Sequence, residues 1–202
     1  SFESDDTWTV TNGTQTPDEG HVVHGEQSIN FLSNAGATMT ISKTFSTPFN
    51  LTTFPDGSAS TTSDLIRFYC LRGDPTNFTS CTLYLGDATF TNCFSIVLSE
   101  ESAWTSDTRS FIAIDFMLKK SDFESTLAPS WTSIAAAKIV AVASEGTQAS
   151  LTLDFLTHYK AGPTASESAT DAELTGTYFY KLTYLNANGD ESEGSLMSNE
   201  VD

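Results

Sequence analysis

Positive charge is scarce in this chain of 202 residues: 9 Lys and Arg stand against 26 Asp and Glu, a formal net charge of −17. A surface of that sign repels phosphate, which argues against nucleic acid as a ligand, and it opposes docking on anionic lipid. Long hydrophobic runs are missing too. No stretch approaches the roughly 18 uninterrupted apolar residues of a membrane-spanning helix, so no membrane insertion is expected. Cysteine is sparse and odd in number: Cys70, Cys81 and Cys93. An odd count excludes a fully paired framework within one chain. At most one pair, Cys70–Cys81 or Cys81–Cys93, can close across a hairpin; otherwise the three are half-buried small residues. No Cys-x-x-Cys occurs, which argues against a thiolate zinc site.

Catalytic signatures are also lacking. There is no Gly-x-Ser-x-Gly elbow, His-Glu-x-x-His pair, P-loop or Gly-x-Gly-x-x-Gly turn. His21 and His24 are close in sequence but have no Cys or third His near them, and His158 stands far off. Asp5-Asp6 and Glu100-Glu101 are neighbours, so on a strand their carboxylates point to opposite faces. Asn186 to Ser192 has the look of a calcium loop, yet Tyr184 occupies the first ligand position, so turn chemistry explains it better. The chain is read as non-enzymatic.

What the sequence does have is a core in alternating form. Hydrophobic residues make up 39% and 14 residues are Phe. Period-2 patterning opens with Trp8, Val10 and Asn12, continues through Ile29 and Phe31, and spans Ala37 to Phe45. Leu65 to Leu71, Thr82 to Leu85, Phe94 to Leu98, Phe111 to Leu118, Lys138 to Ala143 and Ser150 to Leu156 follow, bounded by turn residues. About nine strands at near-regular spacing are expected of an all-β antiparallel sandwich or jelly roll. Short helices are expected at Ser121 to Leu127, with Ser121 and Glu124 as a capping box, and at Trp131 to Ala137. Residues 1–160 form the sandwich, 161–173 have linker composition, and 174–202 carry an alternating strand and an Asn-Gly-type hairpin turn. Two strands alone are marginal, so either this tail docks elsewhere, or more chain follows Asp202, or another subunit completes the sheet.

Several passages carry a resemblance. Phe2-Glu3 before Trp8, the His24-Gly25-Glu26-Gln27-Ser28-Ile29 step, the passage from Phe116 through Trp131 to Ile139, and Leu151 to Leu156 together resemble galactose-binding-like jelly rolls, a group rich in carbohydrate-binding modules. That resemblance implies a structural calcium ion held by Glu3 and Asp154, with backbone carbonyls completing the six to eight oxygens calcium takes. It also implies a sugar platform, for which Tyr69, Tyr84 and Trp104 are the candidates, while Trp8 and Trp131 fall at packing positions. The tail, Gly176 to Lys181 with Asn186, Gly189 to Ser192 and Ser198-Asn199, resembles part of a fibronectin-type-III-like segment of bacteriophage virion proteins. The combination implies a structural or adhesive virion component (tail, fibre or capsid decoration), located on the virion surface or otherwise extracellular. Its partners would be other virion proteins or copies of itself, and surface glycans. The alternative is a carbohydrate-binding module of a secreted bacterial enzyme or surface protein.

Overall fold

The computed structural model describes residues 8–22, 26–54 and 57–159. They lie in the first of two compact units, Ser1–Tyr159 and Lys160–Asp202. Glu3, His24, the linker 161–173 and the fibronectin-like segment 174–202 lie outside the described residues.

The first unit is an all-β sandwich. In chain order the strands are β1 (Thr9–Thr11), β2 (Gly13–Asp18), β3 (Ser28–Ser33), β4 (Thr38–Phe49), β5 (Leu65–Arg72), β6 (Phe78–Gly86) and β7 (Cys93–Val97). A short helix, α1 (Ser102–Thr105), precedes β8 (Ile112–Lys119), β9 (Glu124–Thr126), β10 (Ile134–Ala143) and β11 (Ser150–Tyr159). One sheet has six strands in the order β1-β4-β10-β6-β7-β9; the other has five, in the order β2-β3-β11-β5-β8. All pairings are antiparallel. Consecutive strands repeatedly cross from one sheet to the other, which is the jelly-roll arrangement the alternating pattern predicts.

Alternation decides the core. Along β10, Ala137, Ile139, Ala141 and Ala143 are buried between the sheets, while Lys138, Val140 and Val142 are half-buried on the outer face. Small inward alanines at the centre of one sheet leave room for Phe68 and Phe116 of the other, whose rings stack at 6.0 Å. The closing strand β11 carries a bulge. Leu153 pairs with Cys70 and Phe155 with Tyr69, so Asp154 is the extra residue. The bulge reverses the alternation: Leu151 and Leu153 face inward before it, and Leu156 and His158 take the inward register after it.

Four expectations are corrected here. Asn12 does not continue the first strand's alternation: it sits at φ 58 between β1 and β2, where the chain passes from one sheet to the other, with its amide donating to Thr38 O at 3.1 Å. Ser121 to Leu127 is not a helix but a three-ten turn (Lys120–Asp122) followed by edge strand β9. The second expected helix is replaced by β10, which begins at Ile134. The cysteines are all free, and they are fully buried rather than half-buried. Burial pushes the Cys70 thiol up to about 12, so it stays protonated and unreactive.

Candidate functional site

The three proposed platform aromatics are not brought together. Trp104 is 4% exposed: it packs edge-on against Phe78 at 5.1 Å, and Arg72 lies over its ring at 5.2 Å. That burial corrects its assignment as a binding surface. Tyr69 stands on the outer face of the five-stranded sheet, half-buried, where burial and the nearby negative charges of Asp154 and Asp115 raise its pKa. Tyr84 stands on the outer face of the six-stranded sheet. Trp131, expected at a packing position, is half-buried and packs against the core, stacked on Phe94 with ring centroids 3.8 Å apart.

The outer face around Tyr84 is an ordered row. Register places Ser42 of β4 opposite Lys138 of β10, Lys138 opposite Tyr84 of β6, Tyr84 opposite Ser95 of β7, and Ser95 opposite Glu124 of β9. Side chains one rung deep on one face of a sheet are neighbours, so this row presents two hydroxyls, an ammonium, an aromatic ring and a carboxylate in a line.

A second aromatic joins the row from the β6–β7 connection. Asp87 accepts five hydrogen bonds within its own loop: from the backbone N–H groups of Thr89 (3.0 Å), Thr91 (3.1 Å) and Asn92 (2.9 Å), from Thr89 Oγ1 (2.8 Å) and from Asn92 Nδ2 (2.8 Å). These bonds hold its carboxyl far below the usual carboxylate range. The loop arches closely over the end of β6: a Cβ on Gly86 would meet Asn92 O at 2.4 Å. Phe90, at the tip, is held at φ 57, a conformation a bulky aromatic rarely adopts, and its ring lies beside Lys138. Lys138 Nζ is 4.3 Å from the Tyr84 centroid and 4.4 Å from the Phe90 centroid. Two aromatic rings therefore flank one cation on a face that also carries Ser, Thr and Val side chains.

Sequence reading found Tyr84 and missed Phe90 and Lys138. A signal for Lys138 was present: it interrupts an otherwise apolar strand, Ile134 to Ala143, at an outward position. Phe90 had none, because its place depends on a bent loop.

The other polar groupings are of different kinds. Lys120 is 4% exposed and donates to Leu51 O (2.8 Å) and Ser60 Oγ (2.9 Å). Ser60 also contacts His158 Nε2 at 2.9 Å, and the His158 ring stacks on Phe54 at 4.3 Å. Among the described residues no carboxylate hydrogen-bonds the other nitrogen of His158, so this cluster reads as a latch joining the β4–β5 connection to β8 and β11. Beside it, at one end of the sandwich, lies an apolar cavity of about 520 Å³ lined by Phe45, Leu51, Leu85, Ile134 and His158 among others. No group of three or more His, Cys, Asp or Glu that could hold a metal occurs among the described residues. Asp154 is buried on the outer face of the five-stranded sheet and supplies one carboxylate; Glu3 lies outside the described residues.

No protein-family model and no curated protein matches the chain. Solved structures do. A family 11 carbohydrate-binding module of the cellulosomal cellulase Lic26A-Cel5E of Clostridium thermocellum matches 79% of this chain and 91% of its own, with a TM-score of 0.51 at 7% identity. The fold is one that carbohydrate-binding modules use. A β-1,2-glucanase from Parabacteroides distasonis matches 95% of this chain with a TM-score of 0.52 at 12% identity, and an agarase matches 78% with a TM-score of 0.50 at 8% identity. This chain spans 36% and 23% of those two enzymes. At such identities the likeness is one of fold.

Proposed function

We propose that this chain is a non-catalytic carbohydrate-binding module whose binding surface is the outer face of the six-stranded sheet. The observation that carries the proposal is the Phe90–Lys138–Tyr84 cluster, held by a loop whose own carboxylate is fully occupied in bracing it. Aromatic rings offer apolar contact to the C–H faces of a sugar, and the flanking Ser42 and Ser95 hydroxyls offer hydrogen bonds to its hydroxyls. Rigid placement lowers the ordering entropy that binding would otherwise cost. The jelly-roll likeness to a carbohydrate-binding module supports the reading at the level of fold. The test is retention on immobilised or arrayed glycans by wild-type protein and by Tyr84→Ala and Phe90→Ala. Retention that both variants lose supports the reading; a glycan bound equally well by both places the site elsewhere.

The finer setting we propose is the surface of a bacteriophage virion, with self-copies or other virion proteins as partners. Its support is the sequence of residues 174–202, which resembles a fibronectin-type-III-like segment, and the acidity that keeps a repetitive assembly soluble. Mass spectrometry of gradient-purified particles tests it: these peptides in the particle fraction support it, and their presence only in the secreted soluble fraction favours a module of a secreted bacterial protein. A structural calcium ion on Asp154 and Glu3 belongs to the same proposal, supported by the likeness of Phe2-Glu3 and Leu151 to Leu156 to the opening and closing passages of galactose-binding-like jelly rolls. Added EDTA is then expected to lower the melting temperature and excess Ca²⁺ to restore it; an unchanged melting temperature rejects the ion.

A further inference from the structure

We infer that the sugar received by this face is anionic, its carboxylate or sulfate group seated on Lys138. The inference rests on the reading that the face binds carbohydrate. Its starting point is how this acidic chain uses its few cations. Arg67 pairs with Asp115 at 2.6 Å, and Arg109 with Asp107. Arg72 donates to three backbone carbonyls, and Lys120 to Leu51 O and Ser60. Lys138 differs from these four: among the described residues its ammonium makes no hydrogen bond or ion pair, and unlike the equally unpaired, exposed Lys119 it is held against two ring faces. No protein oxygen takes its N–H donors, so the ammonium keeps hydrogen-bonding capacity for a ligand.

The position favours an external anion over a structural role. The rings fix the ammonium in the middle of the face without neutralising it, because a ring quadrupole carries no net charge. The carboxylate in its row, Glu124, is three strands away, about 14 Å at ~4.8 Å per strand. That exceeds the Debye length of roughly 8 Å at physiological ionic strength, so Glu124 screens Lys138 little. Asp87, in the adjoining loop, has its lone pairs committed to the loop's own donors. The same screening damps repulsion from acidic groups farther than a Debye length from Lys138, so the contact is decided by the groups nearest it. A pyranose ring resting against Tyr84 or Phe90 brings an anionic substituent within reach of the ammonium, and the Ser42 hydroxyl one strand away offers a further donor. A charge-assisted hydrogen bond is among the stronger single contacts available to a sugar.

The experiment measures binding of the full chain by calorimetry to oligogalacturonate and oligomannuronate, each against its carboxyl-reduced counterpart, and to sulfated galactan oligosaccharides against their desulfated counterparts. At least one anionic glycan is expected to bind tenfold or more tightly than its neutral counterpart. The carboxylate arm and the sulfate arm tell which anion it is. Lys138→Met should abolish the discrimination while Lys138→Arg retains it, with unchanged melting temperatures showing that the fold is intact. Equal binding of charged and neutral forms, or discrimination that survives Lys138→Met, overturns this inference and leaves carbohydrate binding standing. No binding to any of these glycans or to a broad neutral array overturns both.

Discussion

Arg72 offers the sharpest test of how the sandwich is held together. It occupies an inward position of β5, is fully buried, and replaces what the alternation would make an apolar residue. Its guanidinium donates to Trp104 O at 2.6 Å, Asp107 O at 2.8 Å and Arg109 O at 2.9 Å, tying the segment around α1 to the core. Burial lowers its pKa, but from so high a starting point that it stays charged. In Arg72→Met the three carbonyls lose their donors, and bonds to charged groups contribute about 1.5–3 kcal/mol each. Two offsets reduce the sum: the charge no longer has to be desolvated, and Arg72 Nε, which has no hydrogen-bond partner among the described residues, is removed. A net loss of about 3 kcal/mol is expected, a large share of a domain stability of roughly 5–15 kcal/mol. Urea unfolding followed by tryptophan fluorescence should show the midpoint falling by about 1–2 M at unchanged slope. A midpoint that stays put or rises would refute the reasoning, because it would mean that the carbonyls find water or that desolvation of the guanidinium outweighs its bonds.

Two further predictions concern the site and the latch. Asp87→Ala removes the acceptor of five loop hydrogen bonds, so Phe90 should leave the face and glycan retention should fall at least tenfold. Circular dichroism of that variant should remain that of the wild type; retained binding would show that the loop needs no brace. His158 has its pKa lowered by burial and by the Lys120 charge, partly opposed by Asp64. Its folded pKa lies below the unfolded value near 6.5, so its contribution is complete above pH 6.5 and is lost as pH falls through the folded pKa. Wild-type melting temperature should accordingly drop more steeply on acidification below pH 6.5 than that of His158→Gln; parallel curves would contradict the assignment.

The sequence was legible where local pattern and tertiary demand agree. Alternation marked β4, β5, β8, β10 and β11 because each buries one face, and a period of two is what a half-buried strand produces. It misled where long-range pairing overrode a local signal. Ser121 and Glu124 had the spacing of a capping box, yet Glu124 to Thr126 pair with β7 and Phe123 is buried, so the sheet captured the segment. Trp104 illustrates a second limit: it looked like a loop aromatic and is buried by Phe78 and Arg72. Burial of a loop residue is decided by what packs over it, and neighbouring sequence does not encode that. Of the site, Tyr84 was readable as an alternating aromatic, while Phe90 depends on a positive φ braced by Asp87.

The most direct test of the central claim is a glycan-array and affinity-electrophoresis comparison of wild type with the Tyr84→Ala/Phe90→Ala double variant and with Tyr69→Ala. Wild type and Tyr69→Ala are expected to retain the same glycans, and the double variant, folded to the same melting temperature, to retain none. Loss of binding in Tyr69→Ala with full binding in the double variant would contradict the claim and move the site to the opposite sheet.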